Sequence, residues 1–208
     1  MKTKTTFFLI LFQLLIAGLK GQETIALKNA SFEENEPACC TLPKHWINLG
    51  AADQTPPDIQ PGFFQVVLPA QDGGQYIGLV VRENNTWEGV GQMLDGLLLK
   101  DSFYTFSLWL ARSNVYRSAT RLSTEVLNLN APTILKIWGY NTKTEQEELL
   151  AESQPMSHSQ WIRYEFVLNP KLADYDELDL MAYYAPGHEQ KNGNLLIDNC
   201  SVLEKTNK

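Results

Sequence analysis

The segment from Tyr104 to Arg112 most constrains the fold, because its side chains alternate between two kinds with a period of two. Such alternation is typical of a β-strand with one face in a core and the other outside it. The apolar face would carry Tyr104, Phe106, Leu108 and Leu110, and the opposite face Thr105, Ser107, Trp109 and Ala111. The segment therefore predicts a strand that buries one side and presents a tryptophan on the other.

Further strand-like runs recur along the chain and are bounded by turn-forming residues. They cover 75–82, 87–94, 134–140, 161–168, 178–184 and 195–203, with a shorter strand expected at 63–68. Residues 40–74 are rich in Pro, Gly and Asp, and residues 113–132 are mostly polar, so both predict long loops. Roughly nine or ten such strands predict an all-β fold, a two-sheet antiparallel β-sandwich of the jelly-roll type.

The N-terminus has the pattern of a secretory signal. Lys2 and Lys4 precede the apolar run from Phe7 to Leu19, so we predict a signal peptide at 1–22 and a single domain at 23–208. The run is too short to span the ~30 Å hydrocarbon core as a helix, so we expect no membrane insertion. The predicted location is secreted, at the cell surface or in the periplasm.

The charge of the mature chain limits its partners. Without residues 1–22, 14 basic side chains face 24 acidic ones, which is a net charge of −10. Nucleic acid and anionic membrane both require basic surfaces, so neither is an expected partner. A neutral sugar or a cation is compatible with this charge.

Three cysteines bear on the architecture. Thiols of exported proteins tend to pair, and adjacent cysteines rarely pair with each other because the ring is strained. We therefore predict that Cys200 pairs with Cys39 or Cys40, and we assign Cys40; three reduced thiols are the alternative. A tetrahedral zinc site would need a further ligand at short spacing, and the sequence shows none.

Five short motifs together resemble a known fold family. They are Asn-x-Ser-Phe-Glu at 29–33, Pro-x-x-Trp at 43–46, Tyr-x-Phe-Ser at 104–107, Trp-x-x-Tyr-x-Phe at 161–166 and Leu-Ile-Asp-Asn at 196–199. Their order and spacing resemble the galactose-binding-like jelly roll found in many bacterial carbohydrate-binding modules for xylan or glucan. More narrowly, residues 55–62 and 72–80 resemble an uncharacterised exported bacterial domain, often attached to cell-envelope or gliding-associated proteins.

The resemblance implies a structural Ca²⁺ site where the first and last strands meet. Glu33 and Asp198 would supply carboxylate oxygens, and backbone carbonyls near Asn29 and in the loop up to Gly50 would complete the shell. Ca²⁺ binds six to eight hard oxygens, so this donor set is chemically suitable. The alternative is that Glu33 caps a turn and Asp198 accepts hydrogen bonds from backbone amides without a metal.

Candidate glycan-binding residues are aromatic side chains outside the core with polar neighbours, because aromatic faces stack on sugar rings while polar groups bind hydroxyls. Trp109 and Trp138 fall on off-core strand faces, and a groove lined by both would favour a sugar. The full candidate set is Trp109, Trp138, Tyr76, Arg82, Tyr116, Arg117 and Asp58. The alternative is that a loop covers each off-core aromatic.

Catalytic motifs are not visible in the sequence. No Gly-x-Ser-x-Gly, His-Glu-x-x-His or glycine-rich phosphate loop occurs, and only Asp58, Glu83 and Glu88 suggest a carboxylate pair. We therefore predict a non-catalytic module that binds a polysaccharide or cell-surface glycan. Alternatives are an adhesion or envelope-scaffold module with a protein partner, and a glycan-active enzyme.

Overall fold

The computed structural model describes residues 23–51, 56–123 and 125–206. The predicted signal peptide at 1–22 lies outside these ranges. Within them, no helix is long and apolar enough to cross a membrane. Every strand is short to medium in length, and the fifteen described strands are β1 (Thr24–Ile25), β2 (Ile47–Asn48), β3 (Asp58–Gln60), β4 (Tyr76–Arg82), β5 (Thr86–Trp87), β6 (Gly89–Leu98), β7 (Phe103–Ala111), β8 (Arg117–Ala119), β9 (Val126–Asn128), β10 (Thr133–Asn141), β11 (Gln146–Glu152), β12 (Ile162–Leu168), β13 (Tyr175–Tyr184), β14 (Gly193–Asp198) and β15 (Leu203–Thr206).

The strands form two main antiparallel sheets. The larger sheet has eight strands in the order β1-β15-β7-β14-β4-β3, with β12 also paired to β7 and β5 to β4. The smaller sheet has five strands in the order β11-β10-β13-β6-β2, and β8 and β9 form a separate hairpin. The predicted all-β, two-sheet antiparallel sandwich is confirmed.

The main core lies between the two sheets and follows the predicted alternation. On β7, Tyr104, Phe106, Leu108 and Leu110 are all at most 1% exposed. The five-stranded sheet contributes Val90, Leu135, Ile137, Leu178 and Leu180 to the same cluster. Each fully buried side chain of this type contributes roughly 1.5–3 kcal/mol through the hydrophobic effect, so this layer holds the sheets together.

A second, smaller core covers part of the outer face of the eight-stranded sheet. Tyr76 and Val80 project outward from β4 and pack against Val66, Tyr116 and Leu129. These last three belong to the segments 61–75 and 112–131, which fold back over the sheet. The long loops therefore close one outer face of the sandwich, whereas they were predicted only as irregular excursions.

Two predicted strands differ from the structure. Phe64 and Gln65 have φ angles of 52° and 64°, in the left-handed region, so the backbone at 63–68 turns and does not extend. The strand that pairs with β4 in this part of the chain is β3. The predicted strand at 195–203 is divided into β14 and β15, with Asn199 between them at a φ of 47°.

The two ends of the described chain meet, as predicted. β1 pairs with β15 in antiparallel register, with Thr24 opposite Glu204. The Cys200 N–H donates to the Ala30 carbonyl at 2.9 Å, which places the Leu-Ile-Asp-Asn motif beside the Asn-x-Ser-Phe-Glu motif.

A close approach of two backbone segments at Gly193 predicts a sensitive position. A Cβ atom there would lie 2.5 Å from the Ala131 carbonyl oxygen and 2.8 Å from Thr133 Cγ2. Because a backbone atom cannot move aside cheaply, we expect Gly193→Ala to lower the free energy of unfolding by on the order of 2–3 kcal/mol in urea denaturation. The control is Gly96→Ala, whose new Cβ would meet only the Ile25 side chain, at 3.2 Å. A loss at Gly193 no larger than that at Gly96 would contradict the packing argument.

Candidate functional site on the outer face of the five-stranded sheet

The two candidate tryptophans lie on opposite sides of the sandwich. Trp109 is on the outer face of the eight-stranded sheet, where its cross-strand partners are Arg163 and Asp198. Trp138 is on the outer face of the five-stranded sheet, opposite Asp179. The two tryptophans therefore do not line one groove, the arrangement that would have favoured a sugar, because strand alternation does not reveal to which sheet a strand belongs.

Four other candidate residues are buried beneath the loops and present no surface to a glycan, contrary to the prediction. The Tyr76 hydroxyl donates to the Leu68 carbonyl at 2.7 Å, and Tyr76 is 0% exposed. The Tyr116 hydroxyl donates to the Asp58 carboxylate, and Arg82 pairs with Glu88. Loop coverage, the alternative considered from the sequence, accounts for these four. Arg117 is exposed at the start of β8.

Two of the three carboxylates considered for catalysis are buried. Glu88 is 1% exposed and Asp58 is 5% exposed, whereas Glu83 is half-buried. Burial raises the pKa of Glu88 to about 8, although the Arg82 guanidinium opposes that rise. Glu83 accepts hydrogen bonds from the N–H groups of Arg121 and Leu122 at 2.7 and 3.0 Å. Hydrogen bonds from neighbouring groups thus hold each of these carboxylates in place.

Glu33 and Asp198, the predicted calcium ligands, hold one loop from two sides. Asp198 Oδ2 accepts from the N–H groups of Gln71 and Asp72 at 2.7 and 3.0 Å, and its Oδ1 accepts from Asn199 N–H at 2.7 Å. Glu33 Oε1 accepts from the N–H groups of Gly74 and Gln75, both at 2.9 Å. Burial raises the pKa of Asp198 to about 6, and its three amide donors oppose the rise.

The other two predicted calcium ligands, Asn29 and Gly50, contact residues other than Glu33 and Asp198. The Asn29 carbonyl accepts from Phe32 N–H and from Trp46 Nε1, both at 3.1 Å. Gly50 lies near its neighbour Asn48 and close to Trp87 and Glu88. Backbone N–H groups donate to Glu33 Oε1 and to both oxygens of Asp198, which is the metal-free alternative. Each carboxylate oxygen has two acceptor positions, so these hydrogen bonds are compatible with a bound cation, and calcium stays a prediction.

The predicted disulfide is absent, since all three cysteines are free. Cys200 is buried in the main core, whereas Cys39 and Cys40 are exposed. The Cys40 thiol lies 3.1 Å from the Cys39 thiol. Ala38, next to the two adjacent cysteines, pairs with Ile59 of β3. Cys200 instead pairs with Ala30, so its thiol and the Cys40 thiol lie in different parts of the structure.

Trp138 lies in a row of polar and aromatic side chains that crosses the five-stranded sheet. In the register of β10, β13 and β6, Trp138 is opposite Asp179, and Asp179 is opposite Gly91. One step along, Tyr140 is opposite Glu177. Because their neighbours Leu178 and Leu180 point into the core, Glu177 and Asp179 share the outer face with Trp138.

Glycines on β6 allow the carboxylates to lie flat on the sheet. A Cβ atom on Gly91 would be 2.6 Å from Asp179 Oδ1 and 3.1 Å from Glu177 Oε1. A Cβ atom on Gly89 would be 2.6 Å from Met181 Cγ. The missing side chains at these two positions therefore let the outward side chains of β13 fold over β6, which leaves Trp138 at the edge of a carboxylate cluster.

The electrostatics of this cluster are unusual for a surface. Burial, together with the neighbouring Glu177 carboxylate and the hydrogen bond between them, raises the pKa of Asp179 to about 8. Burial also raises the pKa of Glu177. Trp138 Nε1 and Asp179 Oδ1 are both buried atoms without a hydrogen-bond partner in the protein. A donor atom and an acceptor atom without partners in the protein thus belong to cross-strand neighbours.

Aromatic rings and a lysine extend the face to one side. Lys136 Nζ lies 4.5 Å from the centroid of the Tyr183 ring. The Tyr183 ring packs at a tilt of 33° against Trp87, with the ring centroids 4.9 Å apart. Tyr140 lies on the other side of Trp138, where nearby acidic side chains contribute to raising its pKa. The face therefore combines flat apolar rings with hydrogen-bonding groups of both kinds.

The sequence did not reveal Glu177 and Asp179 as site residues. Asp179 is on the off-core face of the run 178–184, the same criterion that selected Trp138, and Glu177 directly precedes that run. That criterion becomes informative only when β10 and β13 are known to be neighbours, which is a property of the tertiary structure.

Comparisons with known proteins support the fold. No protein-family model and no curated protein sequence matches the chain. Among solved structures, a cyclase from Fischerella sp. TAU is 15% identical with a TM-score of 0.56, covering 88% of this chain and 97% of that one. The CBM22-1 xylan-binding domain of Paenibacillus barcinonensis Xyn10C is 14% identical with a TM-score of 0.50, covering 86% and 94%.

A third solved structure, the arabinose-bound MgGH51 α-L-arabinofuranosidase, is 13% identical with a TM-score of 0.55, covering 90% of this chain and 27% of that one. At these identities the likeness concerns the fold alone. The chain shares its two-sheet β-sandwich fold with these structures, one of which is a carbohydrate-binding module, and this agrees with the resemblance of the sequence motifs.

Proposed function

We propose that this protein is an exported, non-catalytic module that binds a polysaccharide or cell-surface glycan on the outer face of its five-stranded sheet. The observation that carries the proposal is the cross-strand pair of Trp138 and Asp179, whose Nε1 and Oδ1 atoms have no partner in the protein. Buried polar atoms normally have a partner, so a ligand with hydroxyl groups is a suitable one.

The chemistry of the face suits a sugar. A pyranose ring has apolar C–H faces and a rim of hydroxyl groups, so it is bound by aromatic rings with polar groups beside them. Trp138 and Tyr140 would supply the rings, and Glu177, Asp179 and Lys136 the polar groups. An Asp179 that keeps its proton near neutral pH donates as well as accepts, which matches the dual character of a hydroxyl.

Xylan is the first polysaccharide to test, because the Paenibacillus neighbour is a xylan-binding domain. The likeness in fold does not locate a site, so the choice of polysaccharide is part of the proposal. The acidic composition also favours a neutral polymer over an anionic one.

Glu177 and Asp179 are also adjacent carboxyl groups, with Asp179 Oδ1 and Glu177 Oε1 at 2.6 and 3.1 Å from the position that a Gly91 Cβ atom would occupy. Because a glycosidase uses such a pair, glycoside hydrolysis is the less favoured alternative to binding, and it is tested by assaying the protein for sugar release from the same polysaccharides. The cyclases with a similar fold are a reason to keep a different enzyme chemistry as the alternative to test.

A second candidate is an adhesion or envelope-scaffold module that binds a protein at the same face. The observation in its favour is a rim of exposed apolar side chains on this sheet: Ile47 at 43%, Met93 at 47% and Leu149 at 39% exposure. Exposed apolar side chains grouped on one face are a mark of protein-interaction sites. Export by the predicted signal peptide and a structural Ca²⁺ belong to both candidates and are likewise proposals.

Affinity electrophoresis distinguishes the candidates. We expect the protein without residues 1–22 to be retarded in native gels that contain soluble xylan, glucan or mannan, with xylan retarding it most, and to run normally in gels without polysaccharide. Retardation by none of a panel of plant, algal and bacterial glycans would contradict the glycan proposal and favour a protein partner.

A further inference from the structure

The loop that carries Cys39 and Cys40 is fastened to β3 on both sides of the cysteines. Ala38 and Ile59 exchange two backbone hydrogen bonds at 3.1 and 2.9 Å, and Thr41 N–H donates to the Pro57 carbonyl at 3.1 Å. The two cysteines are therefore held next to the start of β3, on the far side of the sandwich from Trp138.

The local backbone brings the two thiols together. Adjacent residues of an extended chain point in opposite directions, but Cys40 has a φ of 61°, in the left-handed region. The thiols consequently lie on the same side, with their sulfur atoms 3.1 Å apart. Both cysteines are exposed and neither is in a disulfide, so both sulfur atoms are available.

Asp58 adds a third donor atom to the pair. A carboxylate oxygen of Asp58 and the two sulfur atoms lie within 4.8 Å of one another, and among the described residues this is the one group of three or more His, Cys, Asp or Glu side chains that could hold a metal ion. The carboxylate is oriented by two donors, Cys40 N–H at 2.8 Å and the Tyr116 hydroxyl. Hydrogen bonds that fix a ligating carboxylate in this way are typical of metal sites.

We propose that Cys39, Cys40 and Asp58 bind a thiophilic divalent cation of the Zn²⁺ type, with the fourth position open to water or an added ligand. Thiolates and a carboxylate are a suitable donor set for tetrahedral Zn²⁺. On binding, two sulfur–metal bonds replace two S–H bonds, and both protons pass to solvent. Asp58 retains its Tyr116 hydrogen bond while it ligates, because each carboxylate oxygen has two acceptor positions.

A cation explains the clustering better than a vicinal disulfide. The ring closed by adjacent cysteines is strained, and a disulfide would make no use of the Asp58 oxygen that lies within 4.8 Å of both sulfur atoms. Burial, the Cys39 thiol and the Asp58 carboxylate together raise the pKa of the Cys40 thiol to about 12, so without a metal this thiol is a poor nucleophile. Groups that oppose ionisation by their mutual repulsion are those that a cation stabilises most.

This site is independent of the proposed glycan face and of the calcium prediction, since it uses different residues and a different donor chemistry. The sequence showed no further zinc ligand at short spacing from the cysteines. Asp58 is that further ligand, and it was missed because it is distant from Cys40 along the chain.

Metal analysis of the reduced protein tests the proposal. The protein without residues 1–22 is equilibrated with Zn²⁺ and a non-thiol reductant, passed through a desalting column, and its zinc content is measured. We expect about one zinc per chain, and at least about a tenfold weaker affinity in Cys39→Ser and Cys40→Ser. Co²⁺ substitution should give a thiolate-to-metal charge-transfer band in the near ultraviolet that is weaker in both variants, because each retains only one of the two thiolates.

Cys200→Ala is the matched control, because it removes a thiol that is buried in the main core and is not part of the group. It should retain both the zinc and the cobalt band. Asp58→Asn should weaken binding too, but Asp58 is buried, so the exposed cysteines carry the test. Zinc at background level in the wild type, or equal zinc in the wild type and in Cys39→Ser and Cys40→Ser, would overturn the proposal.

Discussion

Trp138→Ala is expected to lower the affinity for soluble xylan by at least about 30-fold, which is roughly 2 kcal/mol. Trp138 supplies a large flat ring beside the carboxylate cluster, and its Nε1 lacks a partner that a sugar hydroxyl would provide. A tryptophan with an unpaired donor is the kind of residue that dominates a binding energy. Isothermal titration calorimetry with xylo-oligosaccharides, or the retardation in xylan gels, measures the change.

Trp109→Ala is the matched control for this variant. It removes the same side chain from the outer face of the opposite sheet, where a groove of about 350 Å³ is lined by Thr105, Ser107, Arg163 and Glu165 but not by Trp109. We expect it to bind xylan as the wild type does. If Trp109→Ala abolishes binding and Trp138→Ala does not, the site lies on the eight-stranded sheet and the proposed face is wrong. Both variants should be checked by thermal melting, because each tryptophan is half-buried.

Asp198→Ala is expected to produce a large loss of stability, about 4 kcal/mol of unfolding free energy in urea denaturation. The carboxylate is 0% exposed and accepts three backbone hydrogen bonds from Gln71, Asp72 and Asn199. Hydrogen bonds to a charged group are stronger than neutral ones, and the variant leaves their donors without partners. The loop 71–75 would also lose its attachment to the end of β14.

Glu33→Ala is the control for this loss, because Glu33 holds the same loop by two hydrogen bonds but is exposed. Water can replace its carboxylate, so we expect a loss of only about 1 kcal/mol. Equal losses in the two variants would show that burial of the carboxylate does not determine its contribution.

The same two variants test the calcium prediction. A cation bound only by the folded state raises the melting temperature by mass action. If Ca²⁺ binds at Glu33 and Asp198, EDTA lowers the melting temperature of the wild type and leaves that of Asp198→Ala unchanged. If EDTA has no effect on the wild type, the two carboxylates act through the backbone amides alone and the calcium prediction is wrong.

Much of the fold could be predicted because it depends on local patterns. The alternation in 104–112 identified the core face of β7, since a strand places successive side chains on opposite sides wherever it lies. The motifs at 29–33 and 196–199 predicted that the chain ends meet, and the hydrogen bond between Cys200 and Ala30 places them together. The off-core position of Trp138 was likewise correct from the sequence.

Other features depended on which strands become neighbours. Alternation placed Trp109 and Trp138 outside the core but could not show that β7 and β10 belong to different sheets. Tyr76 and Tyr116 were also chosen as candidate glycan-binding aromatics. Both are buried in the smaller core, which joins segments that are remote from each other along the chain. The same reasoning applies to Cys40, whose close partners are Cys39 and Asp58 and not Cys200.

The sequence by itself therefore determined the all-β class, the core face of β7 and the meeting of the two ends, because these follow from side-chain periodicity and from short motifs. Only the tertiary structure decided that Trp138 lies beside Glu177 and Asp179, that the loops bury Tyr76, Arg82, Tyr116 and Asp58, and that Asp58 faces two thiols. The physical reason is that strand pairing and loop packing are set by the summed burial and hydrogen bonding of residues far apart in the chain, which no local pattern records.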